Sequence, residues 1–109
     1  MIPSAVPVGC EYLLTLRTRA RAQDNQVFVI ACNLTGDGFC GRSLVADPRG
    51  DVVVEAGDEE RVLRARLDLG EIDAELSREP ALRLRRPDLY RAGAVDAVRQ
   101  TERFGLAPP

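Results

Sequence analysis

The sequence contains no lysine, no histidine and no tryptophan, so each of its 15 basic residues is an arginine. Arginine keeps its proton at every pH at which proteins work, and it is therefore a poor proton-transfer group. A mechanism that needs a lysine amine or an imidazole cannot be supplied by these residues. The net charge of −2 is small, and it gives no indication of nucleic acid as a partner.

Cysteine is scarce as well, with three residues at Cys10, Cys32 and Cys40. Their number is odd and no C-x-x-C pair occurs, so the sequence predicts neither a disulfide framework nor a zinc site. No metal and no cofactor are expected.

Long apolar runs are also missing. No stretch approaches the roughly 18 apolar residues of a membrane span, and the first residues lack the basic and apolar regions of a signal peptide. These absences predict a cytoplasmic protein with free thiols and no membrane partner. The 109 residues provide one small domain, and the hydrophobic fraction of 45% is ordinary for a globular chain.

The most informative stretch is Arg19–Asn33. Its first half has the composition of a helix, and its second half, from Gln26 to Asn33, is an apolar run rich in β-branched residues. Such a run is short for a helix and predicts a strand buried on both faces. A helix that leads directly into a buried strand indicates a layered α/β fold with helices packed outside a sheet.

The other elements follow from local patterns. Pro3 and Pro7 keep Ile2–Val8 extended, and a helix is predicted over Glu11–Asp24. Its apolar face should carry Leu13, Leu16 and Ala20, with Leu14 on its flank, and Asn25 should take the left-handed position that ends it.

In the second half of the chain, glycine and proline residues mark the turns, and the alternation of apolar with charged residues predicts a strand. The predicted elements are a flexible loop at Leu34–Cys40, strands at Arg42–Asp47 and Asp51–Glu55 around an Asp47-Pro48-Arg49-Gly50 turn, an acidic turn at Gly57–Glu60, a strand at Arg61–Leu69 with Leu63, Ala65, Leu67 and Leu69 on one face, a helix at Gly70–Glu79, an irregular basic segment at Ala81–Tyr90 and a short helix at Ala94–Phe104.

No group of residues predicts an active site. Cys32 is expected to be a buried and inert core residue, whereas Cys40 should be accessible in its glycine-rich loop. Cys40 nevertheless lacks a histidine or lysine that could generate its thiolate. Ser43 does not lie in a G-x-S-x-G elbow. Two charged clusters remain. The acidic cluster Asp58–Glu60 is expected to be a solvated turn, and the basic cluster of Arg83, Arg85 and Arg86 is expected to form structural ion pairs.

Several segments, taken in order, resemble the C-terminal part of the nitrilase superfamily, the carbon–nitrogen hydrolases. The family has an extended P-S-A-F-type segment, an R-A-R-A-x-E-N-Q helix, an apolar strand ending in Asn, F-x-G-x-S, a D-P-x-G hairpin, a strand closing on D-L, and R-R-P-D-L-Y. The counterparts here are Ile2–Val8, Arg19–Gln26, Asn33, Phe39–Ser43, Asp47–Gly50, Asp68–Leu69 and Arg86–Tyr90, with Gln23 and Asp24 departing from the pattern.

The resemblance implies a partial four-layer αββα sandwich, in which mixed and antiparallel strands are covered by helices. It also implies hydrolysis of an amide, nitrile or carbamoyl C–N bond through a cysteine thioester, assisted by a glutamate base and a lysine. In the family these residues precede the P-S-A-F segment, so no catalytic residue is predicted in this chain. The matching residues Pro3, Ser4, Ala5 and Val6 are predicted to form a wall of the substrate pocket.

The resemblance divides the chain into residues 1–90, the C-terminal part of the hydrolase domain, and a tail at 91–109. Three explanations remain open: a hydrolase fragment that is inactive alone, a non-catalytic module that pairs with a full-length nitrilase-like partner, and an unrelated small binding protein. Half a sandwich leaves a sheet face uncovered. We therefore expect self-association or pairing with a nitrilase-like N-terminal part, and no well-behaved monomer.

Overall fold

A computed structural model describes residues 1–90; the predicted tail at 91–109, with its helix at Ala94–Phe104, lies outside them. The described elements, in chain order, are β1 (Ile2–Ser4), α1 (Glu11–Asn25), β2 (Val29–Asn33), β3 (Thr35–Gly36), β4 (Phe39–Cys40), β5 (Leu44–Ala46), β6 (Val52–Glu55) and α2 (Gly70–Arg78).

Four of the strands form one mixed sheet in the order β1-β2-β5-β6. β1 is parallel to β2, and α1 makes the crossover between them. β2, β5 and β6 run antiparallel to their neighbours. Because α1 packs on β2 and β5, the predicted arrangement of a helix against a sheet is confirmed.

α1 covers one face of the sheet. Val29, Ala31 and Asn33 of β2 are buried, whereas Ile30 is half-buried and Cys32 is exposed. Ala31 packs with Leu14 of α1, and Val29 packs with Ala22. The prediction that β2 is buried on both faces is therefore wrong at Cys32, because α1 covers one face, whereas the other face is covered only in part, near Ile30 and Val45.

The buried stripe of α1 consists of Leu14, Thr18 and Ala22, not the predicted Leu13, Leu16 and Ala20. Leu16 is 61% exposed. Thr18 can be buried because its hydroxyl donates a hydrogen bond to the Leu14 carbonyl at 2.7 Å. Leu14 and Ala22 of this stripe pack against Ala31 and Val29 of β2.

α1 ends one residue later than predicted, with Gln26 in the left-handed conformation at φ 55°. Gln26 takes this position because its side chain is buried and its Nε2 donates to the carbonyls of Glu75 and Glu79. Its Oε1 has no partner among the described residues. Gln26 therefore attaches the C-terminal end of α2 to the end of α1.

The predicted hairpin turn is confirmed. The Gly50 N–H donates to the Asp47 carbonyl at 2.9 Å, and the Asp47 carboxylate accepts hydrogen bonds from the N–H groups of Arg49 and Asp51. The flanking strands are shorter than predicted, at Leu44–Ala46 and Val52–Glu55. Arg19 of α1 donates to the Gly50 carbonyl at 2.7 Å, which ties the turn to the helix.

The flexible loop predicted at Leu34–Cys40 is instead a small hairpin of β3 and β4. Asp37 and Gly38 both have positive φ angles, 48° and 88°. Positive φ at both central residues is the geometry of a type I′ turn, which Asp-Gly favours.

The strand predicted at Arg61–Leu69 is not formed among the described residues. Leu63 and Leu67 are half-buried, and the rest of this stretch is exposed. A strand needs a neighbour to satisfy its backbone, and the described residues provide none here.

The helix predicted after it is confirmed as α2, which ends before Pro80. Glu75 of α2 is buried and accepts hydrogen bonds from Arg78, which lower the pKa of the Glu75 carboxyl. The segment predicted to be irregular contains turns at 81–84 and helical residues at 87–90. No helix of the described part is long and apolar enough to cross a membrane.

Candidate functional site

The predicted pocket wall is held by Asn33, the last residue of β2. The Asn33 Oδ1 accepts a hydrogen bond from the Val6 N–H at 2.7 Å, and its Nδ2 donates to the Val6 carbonyl at 3.2 Å. The same Nδ2 donates to the Gly41 carbonyl at 2.8 Å and lies 3.2 Å from the Cys40 Sγ. One buried amide therefore joins two segments that are distant in sequence.

Backbone pairing brings these segments to the same edge of the sheet. β1 and β2 are parallel, with Pro3 opposite Cys32 and Ser4 opposite Asn33. The Leu34 N–H then donates to the Ser4 carbonyl at 3.2 Å. Since parallel strands end at the same edge, residues 5 and 6, which follow β1, leave the sheet beside Asn33.

A third segment completes this site from the other side. The Ser43 hydroxyl accepts a hydrogen bond from the Asn33 N–H at 3.0 Å, and the Cys40 N–H donates to the Val6 carbonyl at 3.0 Å. Gly41 has a φ of +63°, and an added Cβ would lie 2.9 Å from the Asp58 carbonyl oxygen. We call residues 3–6, Asn33 and residues 40–43 together the Asn33 site.

The four predicted wall residues differ in exposure. Val6 is half-buried and packs against the core cluster of Leu14, Ala31, Cys40 and Leu44. Ser4 is half-buried, while Pro3 and Ala5 are exposed. The structure therefore fixes the backbone of this segment and leaves part of it accessible. Contact of the four residues with a substrate stays a prediction.

Both cysteine environments are the reverse of what the sequence predicts. Cys40 is buried, with 2% of its surface exposed, and Cys32 is exposed. Cys40 is enclosed because β4 turns its side chain towards the core beside Asn33, whereas Cys32 points to the uncovered face of β2. Burial raises the pKa of the Cys40 thiol, and the Glu11 carboxylate adds to this rise. Cys40 is therefore not an activated nucleophile.

Thiol labelling distinguishes these positions. We expect iodoacetamide to modify Cys32 at least about tenfold faster than Cys40 in the folded chain, because accessibility and thiolate formation set the rate. Peptide mass spectrometry after timed quenching measures both rates in one sample. In urea the two rates should converge. Equal rates in the folded chain would contradict the described burial.

Two of the remaining charged candidates, Arg86 and Asp58, form surface ion pairs. Arg86 binds Asp88 at 2.8 Å, and Arg85 lies 5.9 Å from the centroid of the Tyr90 ring. Asp58 of the acidic turn pairs with Arg42 at 3.1 Å. In residues 1–90 no three His, Cys, Asp or Glu side chains come together as a metal site.

The sequence analysis names Asn33 and Gln26 only as ends of matching motifs, and it does not predict that their side chains are buried and join distant segments. Each is a polar residue placed next to an apolar run and buried in the structure. That position was the available signal, since a buried amide must find hydrogen-bond partners. The partners themselves are far away in the sequence, at a separation of 27 residues for Val6 and Asn33.

Comparison with known proteins places this geometry in a family context. The carbon–nitrogen hydrolase family model matches residues 10–74. A 2-oxoglutaramate amidase of Bacillus subtilis (strain 168) is 45% identical over 75 residues, which are 65% of this chain and 29% of the relative. The omega-amidase NIT3 of Saccharomyces cerevisiae is 41% identical over 80 residues, covering 69% of this chain and 28% of the relative.

Two solved structures of the same family resemble this fold. A carbon–nitrogen hydrolase from Helicobacter pylori G27 has a TM-score of 0.70 at 25% identity, over 82% of this chain and 37% of that one. Saccharomyces cerevisiae Nit3, of the nitrilase superfamily, has a TM-score of 0.63 at 35% identity, over 69% of this chain and 30% of that one. This chain thus spans less than a third of the curated relatives described above.

Proposed function

The chain belongs to the carbon–nitrogen hydrolase family, whose model matches residues 10–74, and on that basis we propose that it forms the C-terminal part of an amidase domain. Its mixed sheet with α1 on one face is part of the family's four-layer sandwich. The order of motifs from Ile2 to Tyr90 supports the C-terminal placement, because it follows the order of the resemblance.

We propose further that this part carries scaffold and no catalytic residue. The observation that carries this is the Asn33 site itself, where a buried amide holds residues 3–6 in place. The nearest thiol, Cys40, is enclosed and has a raised pKa. A cysteine mechanism needs a base for the thiol and a cation for the oxyanion, and the chain contains no lysine. The nucleophile, base and lysine therefore belong to a complementing part.

An amide is the substrate class that we propose for the complete domain. The support comes from relatives that are a 2-oxoglutaramate amidase and an omega-amidase. In such a domain the accessible side of Pro3 and Ala5 would face the substrate, while Ser4 and Val6 lie closer to the sheet. The role of this chain is to position residues 3–6 beside the substrate, and the residues of the complementing part carry out the reaction.

The second candidate is a non-catalytic module that binds a full-length nitrilase-like partner. The uncovered face of β2 favours it, since Cys32 is exposed and Ile30 is half-buried there. An open sheet face is a place where other proteins bind. The two candidates predict different results when this chain is added to its partner. In the first, amidase activity appears; in the second, the chain only binds a partner that is already active.

The purified 109-residue chain is expected to release no ammonia from 2-oxoglutaramate above the protein-free blank. The Bacillus subtilis relative serves as the positive control in the same coupled assay. Turnover by this chain that persists after a second purification step would contradict the proposal that it lacks the catalytic residues.

The DNA upstream of Met1 offers a second observation. A reading frame there that encodes the family's lysine and cysteine segments would favour a split hydrolase over a module.

A further inference from the structure

The β3–β4 hairpin also pairs with the segment that follows β1. The Cys40 N–H donates to the Val6 carbonyl at 3.0 Å, and the Val8 N–H donates to the Gly38 carbonyl at 2.8 Å. Such reciprocal hydrogen bonds are those of an antiparallel pair. Residues 6–8 therefore lie beside the hairpin as its short third strand.

Pro7 lies between these two hydrogen bonds. It has no N–H to donate, and it pairs with Phe39 in an isolated antiparallel bridge. The extended backbone at Pro7 is therefore held through its two neighbours, Val6 and Val8, which are both bonded to the hairpin.

Val6, the last residue of the predicted pocket wall, is thereby held from two sides. The Asn33 Oδ1 accepts a hydrogen bond from its N–H at 2.7 Å, and the Cys40 N–H of the hairpin donates to its carbonyl. We propose that the β3–β4 hairpin is a positioning element of the amidase site, which fixes residues 3–6 for the substrate together with Asn33. The inference rests on the proposed function, because these residues contact a substrate only in the complete domain.

Gly38 is the positioning residue of the hairpin. Its φ of +88° belongs to the type I′ turn, and in this conformation its carbonyl accepts the Val8 N–H. Glycine adopts such a φ without strain, asparagine tolerates it, and a β-branched residue does not. An added Cβ at Gly38 would meet no atom within 4 Å. A substitution there therefore changes the backbone conformation without creating a clash.

The turn of the hairpin contributes little to the core, because Gly36, Asp37 and Gly38 are all exposed. Within residues 1–90, the bond to Val8 is the one hydrogen bond that joins this turn to a segment outside the hairpin. Since that bond goes to the chain beside the pocket wall, the turn is better suited to positioning the wall than to stabilising the core.

Hydrogen exchange in the full 109-residue chain tests the contact itself. Gly38→Val should raise the exchange rates of the Val6 and Val8 amides about tenfold, because the segment then opens locally more often. Gly38→Asn is the matched variant, since it also adds a side chain in open space but tolerates the left-handed φ. Its amides should exchange like those of the unchanged chain. Gly38→Ala provides the same comparison with weaker strain if Gly38→Val does not fold.

Amide hydrolysis tests the positioning role. The Bacillus subtilis relative, shortened before the segment that matches this chain, supplies the complementing part, and 2-oxoglutaramate is the substrate. At a saturating amount of this chain, Gly38→Val should raise KM about fivefold and change kcat less than about twofold, because it loosens substrate binding and leaves the catalytic residues unchanged. Gly38→Asn should keep both constants. A merely structural role would lower the amount of active complex and leave KM unchanged at saturation.

Unchanged exchange at Val6 and Val8 in Gly38→Val would overturn the inference, and so would an unchanged KM in an active mixture. Equal effects of Gly38→Val and Gly38→Asn would overturn it as well, since such effects would not depend on φ. In these cases activity with the unchanged chain leaves the proposed function standing. If the unchanged chain binds the complementing part and the mixture stays inactive, the proposed function is contradicted and the inference fails with it.

Discussion

Replacing Asn33 by alanine should lower the free energy of unfolding by about 3 kcal/mol, since it removes the buried amide to which the Val6 N–H and the Gly41 C=O are hydrogen-bonded. The Asn33 amide bonds both the N–H and the C=O of Val6 and the C=O of Gly41. Water cannot replace it easily, because Asn33 is 9% exposed. Urea unfolding followed by circular dichroism gives the change in free energy directly.

Asn25→Ala is the matched control for this substitution. Asn25 is exposed at the end of α1 and donates one hydrogen bond, to the Arg21 carbonyl at 2.9 Å. Its loss should change the free energy of unfolding by no more than about 0.5 kcal/mol. Hydrogen exchange should also show faster exchange at Val6 in the Asn33 variant alone. Equal effects of the two substitutions would mean that the Asn33 site does not hold the segment.

The largest expected effect on activity is the appearance of amide hydrolysis upon complementation. The suitable partner is the Bacillus subtilis relative from which the segment equivalent to the 75 matched residues, and everything after it, has been removed. At 45% identity over that segment, this chain should provide a compatible wall and sheet. Neither piece alone has both the wall and the catalytic residues, so only the mixture should be active.

Complementation also tests the positioning role of Asn33. The Asn33→Ala chain should restore less activity, chiefly through a higher KM, because residues 3–6 would no longer be held for the substrate. Titrating the variant to saturation separates this effect from weaker assembly. Asn25→Ala should restore activity like the unchanged chain.

Local patterns predicted those parts of the fold that local chemistry determines. The Asp47–Gly50 turn is formed by residues within it, namely the Asp47 carboxylate and the glycine at position 50. α2 ends because Pro80 follows it closely. The succession of α1 and β2 was predicted for the same reason, since composition changes sharply at Gln26.

The parts that failed depend on distant neighbours. Which stripe of α1 is buried depends on how close the helix lies to β2 and β5, and this distance favours Thr18 and Ala22 over Leu16. Whether Cys32 is buried depends on a second layer over the sheet. Arg61–Leu69 has the alternation of a strand, but alternation alone does not provide a pairing neighbour.

The substrate-binding role of residues 3–6 stays a prediction, and the structure adds how their backbone is held. The resemblance directed attention to residues 3–6, but it did not show what holds them. That role falls to Asn33, whose contacts with Val6 and Gly41 span 27 and 8 residues. A side-chain network of this kind has no local sequence pattern, and it becomes visible only once the strands are placed.

Ammonia release from 2-oxoglutaramate tests the central claim most directly when it is measured in three samples. These are this chain alone, the shortened Bacillus subtilis relative alone, and both after co-refolding. The account predicts a signal at the blank level in the first two samples and sustained turnover in the third. Turnover by this chain alone, or a co-refolded sample in which both pieces associate but ammonia stays at the blank level, would contradict the claim that the chain supplies a scaffold part of an amidase.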